Sequence, residues 1–185
     1  MSRSPQLSDF DNHSSVVYAV DRAFRLTYHN GAWDQFALEN DALDVAGEAY
    51  MGRSVLDITA DALKPFYTAA FNKVFAEGTL FEHRYECSSP ESIRTFLMCI
   101  LAVSDESIAV VNSKVHERPA AGEEPEPSRY AGAGGIVTMC SHCRRTLRAG
   151  TASFWDWVPA YVSHPPQRCS HGLCETCLLY HYGIS

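Results

Sequence analysis

Over the first 115 residues, short apolar segments typical of strands alternate with segments that have the apolar spacing of a helix. Two short runs of β-branched and aromatic residues, 16–21 and 25–29, predict two strands, and the turn between them predicts a hairpin. Asn30 and Gly31 then predict the cap and start of a short helix that carries Trp33 and Phe36. The chain therefore begins with a hairpin followed by a helix.

The second part of this region predicts one long helix and three strands. Apolar residues recur every three or four positions over residues 63–77, which indicates a helix with one buried face. Pro65 falls in its first turn, where a missing N–H is harmless, and Gly78 follows as a C-cap. Apolar and aromatic runs after the helix predict strands over 80–87, 93–102 and 107–115.

Two strands, short helices, one long helix and three strands predict the α+β class, with a five-stranded antiparallel sheet and helices on one face. This order resembles the PAS domain over residues 16–115. The matching segments are Val17–Asp21, Tyr28–Asn30 with Trp33, Gly52–Asp57, and the final strands. The resemblance implies a sensory domain that binds a small molecule or dimerises.

Composition divides the rest of the chain. Residues 116–135 contain three prolines, four glutamates and a glycine-rich end, so they predict a linker. The predicted organisation is a disordered N-terminus over 1–15, a PAS-like domain over 16–115, this linker, and a C-terminal module over 136–185.

Charge differs between these parts. Residues 1–135 carry 11 Lys and Arg against 20 Asp and Glu, a net of −9, whereas residues 136–185 carry 4 against 2, a net of +2. An acidic body argues against nucleic-acid binding. The chain lacks an apolar run of membrane-spanning length and a signal-peptide core over its first 15 residues, so we expect a cytoplasmic protein.

The strongest chemical signal is a pair of CxxC motifs. Cys140 and Cys143 are followed after thirty residues by Cys174 and Cys177. Two such pairs supply the four thiolates of a tetrahedral zinc site, and a closed four-thiolate site is structural because no position is open to substrate. Seven cysteines without an export signal favour reduced thiols and metal. Iron, disulfides and a thiol redox pair remain alternatives.

Neighbouring residues qualify this prediction. Simple zinc and rubredoxin-like knuckles favour glycine directly after each CxxC pair, and here Arg144 and Leu178 occupy those positions. His171 is an alternative fourth ligand, with Cys169 as a spare thiol, although we expect His171 to orient a thiolate or a turn. His142, inside the first pair, is interpreted as a solvated loop histidine.

The whole chain also resembles a group of bacterial proteins that join a PAS-like domain to a terminal CxxC…HGxCxxC segment. In that group a Tyr-x-Cys-x-Ser-Pro motif, here Tyr85–Pro90, precedes the final strands. This resemblance implies an architecture and no particular chemistry.

The PAS-like region has a candidate small-molecule pocket, for which a filled core is the alternative. Haem and flavin are not supported: the long helix has no histidine for an axial ligand, and the flavin photosensor motif is absent. His83 and Cys87 are the remaining candidate haem ligands. The predicted pocket residues are Tyr28, Trp33, Phe36, Phe71 and Met98.

The sequence contains no recognised catalytic motif, so we expect a binding protein rather than an enzyme. The preferred function is a sensory or regulatory module for signal transduction, with a protein partner or a homodimer. Aromatic residues in the tail form either a partner surface or packing around the metal. The alternative function is a thiol-redox or metal-responsive switch. The tail aromatics are Phe154, Trp155, Trp157 and Tyr161.

Overall fold

The computed structural model describes residues 5–183, and their contacts divide the chain into two compact units. The first unit comprises Met1–Arg84 and Phe96–Lys114, and the second comprises Tyr85–Thr95 and Val115–Ser185. The second unit therefore takes residues from two separate stretches of the chain.

The five predicted strands form one antiparallel sheet, in the order β2-β1-β5-β4-β3, which confirms the predicted α+β class. Helix α1 follows the first hairpin and helix α2 precedes β3. Residues 85–95, where β3 and β4 meet, and the end of β5 belong to the second unit. The elements are β1 (Val16–Asp21), β2 (Leu26–His29), α1 (Gly31–Glu39), α2 (Lys64–Glu77), β3 (Phe81–Glu86), β4 (Ser92–Ser104) and β5 (Ser107–Pro119).

The two ends of helix α2 have the local features that its sequence predicts. A proline lies in its first turn, and Gly78 ends it in the left-handed conformation with φ 65°, which glycine adopts without a Cβ clash. Its apolar face buries Phe71 completely against Phe24, and Phe66 contacts Phe81 on β3. The α1 and α2 helices are joined by short 3₁₀ helices over Leu43–Val45, Gly47–Tyr50, Val55–Ile58 and Asp61–Leu63.

Asn30 joins the N-terminal segment to the sheet. Its Oδ1 accepts hydrogen bonds from the backbone N–H groups of Val17 and Trp33, which caps α1 as predicted. Its Nδ2 donates to the backbone carbonyls of Phe10, His13 and Ser15. Because these bonds hold residues 10–15, and Leu7–Phe10 forms a 3₁₀ helix, the described part of the N-terminus differs from the predicted disorder. Residues 1–4 lie outside the described residues.

We expect Asn30→Asp to lower the free energy of unfolding of the first unit by about 2–3 kcal/mol, because a carboxylate keeps the acceptor and loses both donors of the buried amide. Asn30 is 3% exposed, so water cannot replace those donors. Urea unfolding measures the loss. The exposed Asn40→Asp provides the control, and equal stability of the two variants would contradict the assignment.

The second unit contains a small mixed sheet in the order β8-β7-β6-β9, in which β6 pairs parallel with β9 and antiparallel with β7. A short helix, α3, precedes this sheet, and α5 follows it. The elements are α3 (Pro127–Tyr130), β6 (Val137–Cys140), β7 (Thr146–Leu147), β8 (Trp155–Asp156), α4 (Pro159–Ser163), β9 (Cys169–Gly172) and α5 (Glu175–Tyr182), with a 3₁₀ helix at Ala133–Gly135.

The segment predicted as a linker, 116–135, is structured. Strand β5 continues to Pro119, and Ala120 donates its backbone N–H to the carbonyl of Glu91. Glu123 then donates to the carbonyl of Trp157, and Tyr130 is 1% exposed. Local composition suggested a linker because the segment is polar, but some of its backbone hydrogen bonds are made to residues far away in sequence, such as Glu91 and Trp157.

Gly122 shows how closely this segment lies on its neighbours. A Cβ at this position would lie 2.3 Å from Cδ of Pro159 and 2.8 Å from the carbonyl oxygen of Trp157. Only glycine permits such a close approach of the backbone. The segment is therefore packed against other residues of the second unit, although residues 121–129 are exposed.

Candidate metal centre

A strand, a turn and a helix of the second unit bring the two CxxC pairs together. Cys140 ends β6, Cys143 lies in the turn before β7, and Cys174 is the N-cap residue of α5, with Cys177 in its first turn. The four sulfur atoms lie within 4.8 Å of one another, and Cys143 Sγ is 3.6 Å from Cys174 Sγ. All four side chains are buried.

These distances fit a tetrahedral metal. Metal–sulfur bonds of about 2.3 Å place the sulfurs of a tetrahedral site about 3.8 Å apart. A disulfide would need about 2.05 Å, and all four cysteines are free thiols in this structure. Four thiolates leave no position for water or substrate, so the geometry fits a metal that stabilises the fold.

The residues 140–145, here called the knuckle, form a tight turn without glycine. Arg144 adopts the left-handed conformation with φ 65°, and its backbone N–H donates to the carbonyl of Cys140. Its guanidinium Nη2 donates to the carbonyl of Val162 at 2.6 Å. An arginine thus occupies the position after the first CxxC pair, where simple knuckles favour glycine. Leu178, after the second pair, lies inside helix α5 and needs no unusual backbone angle.

Arg145 balances the negative charge of the thiolates. Its guanidinium makes a bidentate ion pair with Glu86, with N···O distances of 2.9 and 3.1 Å. Burial would lower the pKa of Arg145, but Cys143 and Glu86 raise it above its usual value. The arginine therefore remains charged beside the cysteines.

The four thiols differ in the direction in which their pKa values are shifted. Hydrogen bonds from the thiols of Cys143, Cys174 and Cys177 lower the pKa of Cys140, and the backbone N–H of Cys174 also donates to its sulfur at 3.4 Å. The pKa values of Cys143 and Cys177 are raised because hydrogen bonds to Cys140 hold their protons. The pKa of Cys174 is also lowered, and a bound metal would displace the protons that remain on the four thiols.

The predicted auxiliary residues, His171 and Cys169, lie on β9 outside the group of four. His171 is exposed and pairs in register with Met139, and its Nε2 is 4.0 Å from Cys169 Sγ. Cys169 packs on the apolar cluster formed by Tyr130, Val137, Met139 and Val158. The structure therefore assembles four sulfurs and leaves the histidine at the surface.

This position makes His171→Ala a sharp test of the ligand set. An outer residue that orients a metal ligand changes metal affinity by about 10- to 100-fold when it is removed. Since His171 is exposed and outside the cluster, we expect His171→Ala to change zinc affinity by less than about threefold. Competition with a chelator measures this value, and a larger loss would show that His171 supports the site.

Several residues that lie near the site were not predicted from the sequence to be there. The ring of His142 is 5.6 Å from Tyr85 and meets the ring of His181 edge-on at 4.4 Å, so His142 is packed rather than a solvated loop histidine. His181 is 7% exposed. The Tyr85–Pro90 motif is a sequence feature that could have pointed to these residues, because Tyr85 and Glu86 lie next to the knuckle.

The tail aromatics are mainly packing residues. Trp157 is buried in a cluster with Ile93 and Val162, and Trp155 packs against the four cysteines. Tyr161 packs against Tyr130, with ring centroids 5.9 Å apart. Phe154 differs, because it is 62% exposed.

The predicted pocket residues in the first unit have several separate partners. Trp33 packs on Tyr18 and Phe36 on Phe96, with centroid distances of 5.2 and 6.1 Å, whereas Tyr28 donates a hydrogen bond to Asp11. Phe71 and Met98 are fully buried. These contacts match a filled core more closely than one shared ligand space, and the pocket stays a prediction.

The alternative haem ligands lie in different units. His83 lies on β3 with its ring 4.7 Å from that of Phe66, and burial lowers its pKa. Cys87 lies in the second unit, where its backbone N–H donates to the carbonyl of Arg94. Burial raises the pKa of Cys87, which disfavours the thiolate form that binds metals.

Comparisons with known proteins give structural neighbours only. No protein-family model and no curated protein matches the chain. Among solved structures, the photoactive yellow protein domain of the sensor histidine kinase Ppr from Rhodospirillum centenum shares 12% identity and a TM-score of 0.43, covering 60% of this chain and 94% of that one. The PAS domain of the Cronobacter turicensis quorum-sensing receptor RpfR, in complex with C12:0, shares 15% identity and a TM-score of 0.44, covering 57% and 97%. The PAS domain of Bordetella pertussis BvgS gives 14% identity and a TM-score of 0.39, covering 57% and 78%.

These scores lie below 0.5, so the description of the fold rests on the observed strand order and connections. Among the described residues, no helix combines the length and the apolar character needed to cross a membrane.

Proposed function

We propose that this protein is a sensory or regulatory binding module, stabilised by a structural zinc in its second unit. The observation that carries the proposal is the closed group of four buried cysteine sulfurs, all within 4.8 Å of one another. Such a site holds a fold together and offers no open position for chemistry. The free thiols favour a reducing compartment, which agrees with the expected cytoplasmic location.

The five-stranded sheet and its helices would provide the sensing or dimerisation part of the module. Support comes from the strand order and from the resemblance of residues 16–115 to the PAS domain. In this proposal the first unit binds a small molecule or a second copy of the chain. The second unit, in the same proposal, passes the signal on through contact with a partner protein.

A partner protein would contact exposed apolar residues of the second unit. Phe154 is 62% exposed, and Leu179 and Tyr180 on α5 are each 58% exposed. Large apolar side chains are enriched where proteins bind one another. These three residues replace the buried tryptophans as the candidate contact.

Site-specific photocross-linking in cells tests this function. A photoreactive phenylalanine at Phe154 or Tyr180 should give a discrete cross-linked product that disappears when Cys177→Ser removes the metal site. The control carries the same group at Leu38, an exposed apolar residue of the first unit. Identical products from Leu38, or no product from the second unit, would contradict a partner contact there.

A thiol-redox or metal-responsive switch is the second candidate function. It is favoured by the hydrogen bonds that lower the pKa of Cys140, since a thiolate is the form that reacts with oxidants. In such a switch each pair of thiolates would be oxidised to one disulfide while one hydrogen peroxide takes up the two electrons and two protons and becomes two waters, and the metal would be released. Zinc release by substoichiometric peroxide, reversed by dithiol reductant, would support the switch. Zinc that stays bound would support the structural role.

A further inference from the structure

Arg145 connects the four-cysteine site to residues 85–95, called here the hairpin end, where β3 and β4 meet. Its two terminal nitrogens pair with the two carboxylate oxygens of Glu86, and both side chains are 25% exposed. Arg145 itself lies in the knuckle, two residues after Cys143. Its side chain therefore joins the knuckle to the last residue of β3.

A second contact runs beside the first. Tyr85 packs its ring against His142, which lies between Cys140 and Cys143 in the knuckle. Two successive residues of the hairpin end thus contact two residues of the knuckle. Because Glu86 and Arg145 are 59 positions apart in sequence, this connection exists only while the second unit is folded.

The knuckle combines a small buried cluster with a left-handed backbone angle. The buried cluster around it consists of the four cysteines, with Trp155 and Leu173 packed against them. Arg144 holds a left-handed backbone angle that is unfavourable for a residue with a Cβ. A bound metal ion would compensate for this backbone strain and for the small apolar core, so its loss would release Arg145 and His142.

We propose that Arg145 couples metal occupancy of the four-cysteine site to the order of the hairpin end. The inference rests on the proposed structural zinc and adds a regulatory consequence. With metal bound, Arg145 holds Glu86 in place; without it, the hairpin end loses its two contacts with the knuckle. The chain of β3 and β4 runs from the hairpin end into the sheet of the first unit. A change in the order of the hairpin end would therefore reach that sheet through the backbone itself.

Hydrogen exchange on the full chain tests this coupling, with peptides from the hairpin end compared in zinc-loaded and chelated protein. We expect chelation to speed exchange over residues 85–95 by about tenfold or more, within the usual range of coupling between sites. In zinc-loaded Arg145→Met, exchange over 85–95 should already be fast while residues 137–177 stay protected, because the ion pair is lost although zinc is bound. Chelation should then add less over 85–95 than in the unchanged protein, since only the Tyr85–His142 contact and the packing of Ile93 on Trp157 remain to be lost.

Asp156→Asn is the matched control. Asp156 makes a bidentate pair with Arg148 at 2.6 and 2.9 Å in the same unit, and neither residue belongs to the hairpin end. This variant should keep the full zinc dependence of exchange at 85–95. If Arg145→Met fails to bind zinc, Glu86→Gln removes the same ion pair from the other side and should likewise speed exchange over 85–95 in the zinc-loaded protein.

The outcomes separate the two proposals. Exchange over 137–177 that ignores chelation would overturn the structural zinc itself. If 137–177 opens on chelation while 85–95 stays protected, or if both variants retain the full zinc dependence, the zinc remains structural and the coupling through Arg145 is overturned.

Discussion

Cys140→Ser or Cys177→Ser should abolish tight zinc binding and unfold the second unit, leaving the sheet of the first unit folded. The reason is that metal-binding free energy is folding free energy in modules of this kind, about 10–16 kcal/mol for small structural zinc sites. The four cysteines are themselves the buried cluster around the knuckle, so no other apolar core replaces the metal there.

Zinc content and hydrogen exchange measure this prediction together. Exchange over residues 137–182 should approach the rate of an unfolded chain in either variant, while protection in β1 and α2 persists. Cys169→Ser is the control, because Cys169 lies on β9 outside the group of four. A Cys140→Ser protein that keeps a full equivalent of zinc and a protected second unit would contradict the assignment.

Tyr130→Ala should destabilise the second unit by about 3–5 kcal/mol, as expected for removal of a large buried aromatic side chain. Tyr130 is 1% exposed, packs with Val137, Met139 and Val158, and donates its hydroxyl proton to Asp156 at 2.9 Å. Tyr130→Phe should cost only about 1 kcal/mol, because the ring stays and Arg148 still pairs with Asp156.

Urea unfolding of the zinc-loaded protein, followed by tryptophan fluorescence, measures both Tyr130 variants. Tyr180→Ala, at an exposed tyrosine of the same unit, should change stability by less than about 0.5 kcal/mol. If Tyr130→Ala were as mild as this control, residues 116–135 would behave as the linker that their composition predicts.

Local signals in the sequence were sufficient for most of the first unit. The apolar period and the Pro65 and Gly78 positions predicted α2, and Asn30 caps α1 as expected. Each of these features depends on residues within a few positions of one another. The strands were predicted from local runs of apolar, β-branched and aromatic residues for the same reason.

Non-local contacts account for what the sequence did not predict. Strand β5 extends to Pro119 with residues 114–119 exposed, so the apolar alternation that marks a strand is missing there. Tyr130 is buried by residues that follow it in the small sheet, and Glu86 meets Arg145 from 59 positions away. Such pairings have no signal in one local window.

The candidate site was predictable to a similar extent. Spacing identified the four cysteines, because CxxC pairs place two sulfurs on adjacent turns. It gave no indication that Arg144 would adopt a left-handed angle or that Trp157 would be buried with Ile93. The ligands therefore follow from a motif, whereas their surroundings follow from the fold.

X-ray absorption combined with elemental analysis of the purified, reduced protein tests the central claim most directly. The account predicts one zinc per chain, bound by four sulfurs at about 2.3 Å. Less than about a tenth of an equivalent of metal in a protein whose second unit is still protected from exchange, or a first shell containing nitrogen or oxygen, would contradict it.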